Sequence, residues 1–191
     1  MRVSLIGLPG SGKTTLGKLM ADVLNIMYVS SGDLARAHGF SGSKEEATGQ
    51  LAKNEGIIRK LIMSVLEDSD AYILDGFPRT IEQVKEVDIK FDAILYLGTP
   101  DRIAYGRLIE RGRDDDVPEI IDSRFKLYRE ITHPLVWHWE QERILIKLNA
   151  SKSPHELLGE AVNKLGKAKI LIPNKYINTI LRRLKRGLLN N

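Results

Sequence analysis

The chain has 191 residues, 42% hydrophobic and 28% charged, with no cysteine. That is enough chain for one well-buried core, and it excludes disulfides and thiolate metal sites. The net charge of +4 is uneven: Gly166 to Asn191 holds seven Lys or Arg and no acid, leaving the preceding body at −3, so a nucleic-acid-binding body is not implied. No apolar run reaches membrane-span length, and the apolar start is too short and glycine-broken for a signal peptide. The expected location is the cytoplasm.

The first expected strand, Val3–Ile6, runs into Gly7-Leu8-Pro9-Gly10-Ser11-Gly12-Lys13-Thr14-Thr15, and helical periodicity follows over Lys13–Leu24. The run fits GxxxxGK[ST] between a strand and a helix, the context in which a P-loop cradles nucleotide phosphates. Glycines allow close backbone approach, and the helix N-terminus favours an anion. Gly10, Ser11, Gly12, Lys13, Thr14 and Thr15 are therefore the expected ATP-phosphate residues. Lys13 is a point charge for the β/γ phosphates, and Thr14 is a candidate Mg²⁺ ligand. The competing reading is a glycine-rich turn with an incidental lysine.

A second strand is expected at Met27–Val29, then an insertion, Ser30–Leu66, with helical pieces at Glu45–Ala52 and Ile57–Leu66. The third strand, Ala71–Leu74, ends at Asp75-Gly76-Phe77-Pro78-Arg79-Thr80. Asp75 stands at the carboxyl edge of the sheet, where the second metal-site carboxylate of a P-loop enzyme sits; a helix N-cap is the alternative. Next come a helix at Ile81–Val87, a strand at Ala93–Leu97 and a helix at Pro100–Arg111. The charged stretch Arg111–Val117 precedes a long helix over Pro118–Glu140, a strand at Ile144–Leu148 and a helix opened by Ser153-Pro154 and running to about Leu165. This alternation predicts an α/β fold: a P-loop three-layer sandwich with a five-stranded parallel sheet. His133 to Trp139 carries two histidines and two tryptophans that invite a metal or stacking site, but such a run on one helix more often packs on a core. In the tail, Lys175–Leu189 reads as an amphipathic helix, with Tyr176, Ile177, Ile180, Leu181, Leu184 and Leu188 on one face. It would dock on the enzyme body, on an anionic membrane, or on RNA or an acidic protein.

Several motifs occur in order: Ser30-Ser31-Gly32-Asp33-Leu34-Ala35-Arg36, Asp75 to Thr80 with Gln83, then Arg107, Arg111, Arg113-Asp114-Asp115-Asp116 and Arg124. With them the chain resembles the adenylate kinases, within the nucleoside-monophosphate kinases, from about Met1 to Ala168. The resemblance implies reversible transfer from MgATP to AMP, giving two ADP; the chain is expected to be a monomer. A UMP/CMP or other monophosphate kinase is the alternative. From another class, a nucleotide-dependent binding or assembly factor would dock through the basic tail. The resemblance divides residues 1–168 into a core (1–29, 67–110 and 118–168), an acceptor-binding insertion (30–66) and a lid (111–117), and it does not cover the basic tail (169–191).

By the same resemblance Lys13, Arg79, Arg111, Arg113 and Arg124 are catalytic, and Arg107, Arg111 and Lys152 join the P-loop on the ATP side. Ser31, Arg36, Gly76, Phe77, Pro78, Arg79, Arg113 and Arg124 hold the acceptor; Ile57, Ile58 and Arg59 lie along its base, and Gln83 faces that base. The chemistry gives independent support. Phosphoryl transfer gathers negative charge and needs positioning and cations rather than a covalent nucleophile, and arginine binds phosphate bidentately. Four departures stand out. The family usually has glycine at Thr14, Gly-x-Leu-Val-Pro where this chain has Gly56-Ile57-Ile58-Arg59-Lys60, often glycine at Lys152, and an apolar residue at Asp114. Phe77-Pro78 resembles a family turn with a cis peptide bond. The lid is of the short type and, without cysteines, holds no zinc.

Overall fold

The computed structural model describes residues 1–39, 51–67, 69–87 and 89–170. Five strands, β1 (Arg2–Gly7), β2 (Met27–Ser30), β3 (Tyr72–Asp75), β4 (Ala93–Gly98) and β5 (Leu145–Asn149), form one parallel sheet in the order β2-β3-β1-β4-β5. Around it lie α1 (Lys13–Leu24), α2 (Ser31–Ala37), α3 (Leu51–Leu66), α4 (Ile81–Glu86), α5 (Asp101–Arg111), α6 (Pro118–Leu127), α7 (Pro134–Gln141) and α8 (Pro154–Lys167). This is the expected α/β sandwich.

A parallel sheet covered on both faces needs apolar residues at every strand position. β1 meets that demand: Val3 and Leu5 join Leu16, Met20, Leu157 and Leu165 on one face, and Ile6 joins Ile62, Leu74, Leu135 and Trp139 on the other. The polar exception, Ser4, is buried and donates to the Phe77 carbonyl at 2.8 Å. A third cluster, with Leu108, Ile121 and Phe125, lies between α5 and α6. Strand order reverses about β1, so the carboxyl ends of β1 and β3 open side by side, where ligands enter such sheets. Leu5 pairs with Asp75, which places the end of β3 beside the loop that leaves β1.

Helix boundaries differ from expectation in two places. The long helix expected over Pro118–Glu140 is broken by a π-helical turn at Tyr128–Thr132, closed by His133 N–H donating to Tyr128 O at 2.7 Å. Pro134 explains the break: it has no N–H, and its ring would strike the carbonyl four residues back. In the insertion, α3 runs through Gly56 and absorbs the expected Ile57–Leu66 helix. Most of the expected Glu45–Ala52 helix, and the tail helix Lys175–Leu189, lie outside the described residues. The aromatic run splits, with Trp139 buried edge-to-face on Phe91 and Trp137 68% exposed. α8 starts as predicted, with Ser153 and Glu156 forming a reciprocal capping box around Pro154. No helix among the described residues is long and apolar enough to cross a membrane.

Candidate active site

The loop between β1 and α1 turns at Gly10 (φ 80°) and Gly12 (φ 93°), both in the left-handed region. A Cβ on Gly10 would also lie 2.3 Å from the Ala104 carbonyl oxygen, so α5 packs against the loop only because the residue is glycine. Ser11 is buried beneath the turn and its N–H donates to Leu8 O at 3.0 Å. Lys13 folds back over the loop, and its Nζ donates to Gly7 O at 2.7 Å and Leu8 O at 3.0 Å. Burial pushes the Lys13 ammonium down to about 8; Asp75 opposes that shift, while Arg79, Arg124 and Arg111 add to it.

Asp75, at the end of β3, is buried and does not cap a helix. Its Oδ2 accepts from Thr14 Oγ1 and from the Tyr28 phenol, each at 2.8 Å. The chain then turns at Gly76 (φ 76°) through a cis Phe77–Pro78 bond. Ser31 Oγ, at the start of α2, donates to Gly76 O at 2.8 Å, and Arg79 Nε donates to the same carbonyl at 2.9 Å. Arg79 thus stands across the cleft from the P-loop with the insertion beside it. Thr80 caps α4 by accepting from Gln83 N–H at 3.1 Å. Gln83 is buried, and its Oε1 accepts from Arg79 N–H at 2.7 Å.

The connection from α5 to α6 is held by Asp116. This carboxylate accepts from Arg111 Nε at 2.8 Å and from a terminal guanidinium nitrogen of Arg111 at 2.6 Å, with Arg113 N–H at 3.1 Å and Arg124 at 3.5 Å. Burial pushes the Asp116 carboxyl up, but the Arg111 and Arg113 hydrogen bonds and the charges of Arg111 and Arg124 outweigh it, leaving the group below its ordinary value. Arg124 also pairs with Asp115 at 3.3 Å. Arg107 donates to Ala150 O at 2.8 Å, tying α5 to the loop after β5.

These parts enclose one cleft of about 530 Å³, within the size range of small-molecule sites. Gly10, Gly12, Lys13, Thr14, Thr15, Ser31, Arg36, Asp75, Gly76, Pro78, Arg79, Arg107, Arg111, Arg113 and Arg124 all line it, and among the described residues Asp75 is the one acid that does. Other candidates lie elsewhere. Phe77 is buried in the core, Ile58 packs against the same cluster, and Ile57 is exposed. Arg59 is ion-paired with Glu86, and Lys152 with Glu160 at 2.9 Å. Sequence reasoning missed Tyr28, along with Tyr128, Ile131 and Thr132, which line the cleft from the π-turn. The strand alternation that puts Tyr28 on the face of Ser30 was the available signal for the first; the π-turn had none beyond Pro134.

A phosphate loop at the carboxyl edge of a parallel sheet, facing a second arginine-bearing turn across one cationic cleft, defines a P-loop nucleotide kinase. A family model described as Adenylate kinase matches residues 5–144. The chain is 39% identical to an adenylate kinase of Corynebacterium urealyticum over 76% of its own length and 88% of that protein. It is 34% identical to one of Mycolicibacterium vanbaalenii over 87% of its length and all of that protein, and 33% identical to one of Prochlorococcus marinus over 80% and 91%. The chain belongs to the adenylate kinase family.

Proposed function

We propose that this cleft transfers the terminal phosphoryl group of ATP to AMP, reversibly, giving two ADP. The observation that carries the reading is the meeting, in one cleft, of two phosphate-binding constellations: the Gly10–Thr15 loop with Lys13, and the Ser31–Gly76–Arg79 cluster. The ATP triphosphate lies along the first and the AMP phosphate against the second, with Arg36 beside it. The attacking AMP oxygen needs no protein nucleophile. It needs alignment and compensation of charge as the phosphoryl group moves, and arginines supply both. Arg111, Arg113 and Arg124 flank the moving group from the lid and α6, and Arg107 faces the donor side. Asp116 engages two of the five N–H groups of Arg111, which leaves donors for phosphate.

Thr14 Oγ1 and the Asp75 carboxylate are adjacent hard-oxygen donors at the phosphate loop, a set suited to Mg²⁺. When bound there, Mg²⁺ supplies charge neutralisation on the β and γ phosphates. Residues 30–66 act as the acceptor-binding part and 111–117 as the lid that excludes water. Gln83 turns its carbonyl to Arg79 N–H, so its amide N–H groups are the part to offer an adenine ring nitrogen. The working form in this reading is a cytoplasmic monomer.

A coupled assay with ATP and each nucleoside monophosphate tests the function, and kcat/KM is expected to be highest for AMP. Lys13→Met and Arg79→Ala should each lower turnover by at least about 100-fold while the protein stays folded. A folded parent protein without transfer to any monophosphate, or a pyrimidine monophosphate preferred over AMP, would refute the reading.

A further inference from the structure

Asp75 accepts hydrogen bonds from two hydroxyls, and only one of them belongs to the phosphate loop. Thr14 Oγ1 and Tyr28 OH each donate to Oδ2 at 2.8 Å. Tyr28 lies on β2, opposite Ile73, while Ser30 stands opposite Asp75. Side chains alternate between faces, so Tyr28 shares the face of Asp75, one two-residue repeat behind it. A donor from that position must cross about 7 Å along the strand, which is within the reach of a phenol. The ring's path also sets a condition on α1. A Cβ at Gly17 would lie 2.5 Å from Tyr28 Cε2, so the ring takes the space of a missing side chain. Glycine is unfavourable inside a helix, and at this position the ring requires it.

From this arrangement we propose that Tyr28 is a positioning residue that sets the metal-side carboxylate, Asp75, in the orientation used for Mg²⁺. The inference rests on the reading of Thr14 and Asp75 as the Mg²⁺ side of the cleft. A hydroxyl has one proton and two lone pairs. Thr14 directs its proton at Asp75, which turns its lone pairs away from the carboxylate and leaves them for a cation. Tyr28 occupies the second lone-pair direction of the same Oδ2. Two donors on one oxygen, from α1 and from β2, fix the plane of the carboxylate where a single donor would leave it free to swing. Tyr28 acts only through Asp75 and need not touch nucleotide or metal itself.

The test uses the full chain with protein in excess over ATP, so that the nucleotide is bound, and titrates Mn²⁺ as the probe by the electron paramagnetic resonance of the free ion. Partners of this kind are worth about 10-fold or more in metal affinity. Tyr28→Phe should therefore weaken Mn²⁺ binding to the protein–ATP complex about 10-fold, with unchanged affinity for metal-free ATP and for AMP and a near-parental circular dichroism spectrum. Asp75→Asn separates the two readings. If it binds Mn²⁺ as the parent does, the metal assignment itself fails. If it loses Mn²⁺ while Tyr28→Phe matches the parent, the metal assignment stands and the role of Tyr28 is overturned. Equal losses of AMP, ATP and Mn²⁺ affinity in Tyr28→Phe would also overturn it, because the tyrosine would then support the fold in general.

Discussion

Asp116→Ala is the sharpest single perturbation of the connection from α5 to α6. The Asp116 side chain is 0% exposed, and its guanidinium partners Arg111 and Arg124 are 32% and 17% exposed. Breaking a fully buried pair from one side costs about 3–5 kcal/mol, and a hydrogen bond to a charged group is worth about 1.5–3 kcal/mol. Arg111 is a third open to water, so screening lowers the larger figure and about 2–3 kcal/mol is expected. For a chain of this size that is a fall in Tm of roughly 4–12 °C. Asp116→Asn keeps an acceptor for Arg113 N–H but not the charge, and should fall between the parent and Asp116→Ala. Thermal melts followed by circular dichroism measure the effect, with KM for ATP measured in parallel to show whether freed arginines change donor binding. A Tm for Asp116→Ala equal to that of the parent would refute the placing of this carboxylate as the anchor of that connection. The same depressed carboxyl contributes stability that is fully present above the unfolded carboxylate range and is lost as pH falls through its lower folded value.

Two further expectations concern Lys13 and the tail. With Lys13 at about 8 in the folded protein and 10.5 unfolded, the unfolded chain binds more protons between those values, so stability should rise with pH across that window. Phosphate binding favours the charged ammonium, so calorimetry at pH 8.5 in two buffers of different ionisation enthalpy should show proton uptake with ATP, absent in Lys13→Met; no uptake in the parent would refute the burial argument. Among the described residues, those lining the cleft extend no further along the chain than Thr132, so a chain ending at Ile170 is expected to keep its transfer rate, and a folded truncation without activity would show that the tail supports the site.

The sheet was legible because its inner strands β1, β3 and β4 are buried on both faces and read as mostly apolar runs, and all five strands fall within a residue or two of where they were placed. The expected Ala71–Leu74 became Tyr72–Asp75, and Ile144–Leu148 became Leu145–Asn149. The phosphate loop was legible because its glycines and lysine answer a local demand. Periodicity carried the helices less far. The pattern over Pro118–Glu140 holds its phase through a π-turn, and only the chemistry of Pro134 marks the break. Contacts between distant positions were beyond reach. Thr14 and Asp75 are 61 residues apart and Tyr28 and Asp75 are 47, and no spacing rule connects them. The base side of the acceptor site was expected at Ile57, Ile58 and Arg59, yet these residues are exposed, packed on the core and paired with Glu86.

The cations of the cleft share one property that motif reading does not show. Each of four is already held by a protein acceptor: Lys13 by the Gly7 and Leu8 carbonyls, Arg79 by Gly76 O, Arg107 by Ala150 O and Arg111 by Asp116. These bonds fix side chains that would otherwise lose much rotamer freedom when phosphate arrives. If these cations bind phosphate as proposed, nucleotide binding is in part an exchange of acceptors rather than a gain of new bonds. For Lys13 the exchange replaces two neutral carbonyls with anionic phosphate and lifts the penalty that burial places on its charge. Arg111 keeps the Asp116 anion on two of its N–H groups and has the rest to offer phosphate, so its gain is smaller and the geometry is what is kept. The P-loop lysine should therefore contribute to affinity for the donor as well as to the turnover that Lys13→Met is expected to lose. The lid arginines, balanced by Asp116 before the reaction, can contribute most where charge moves, in the transition state.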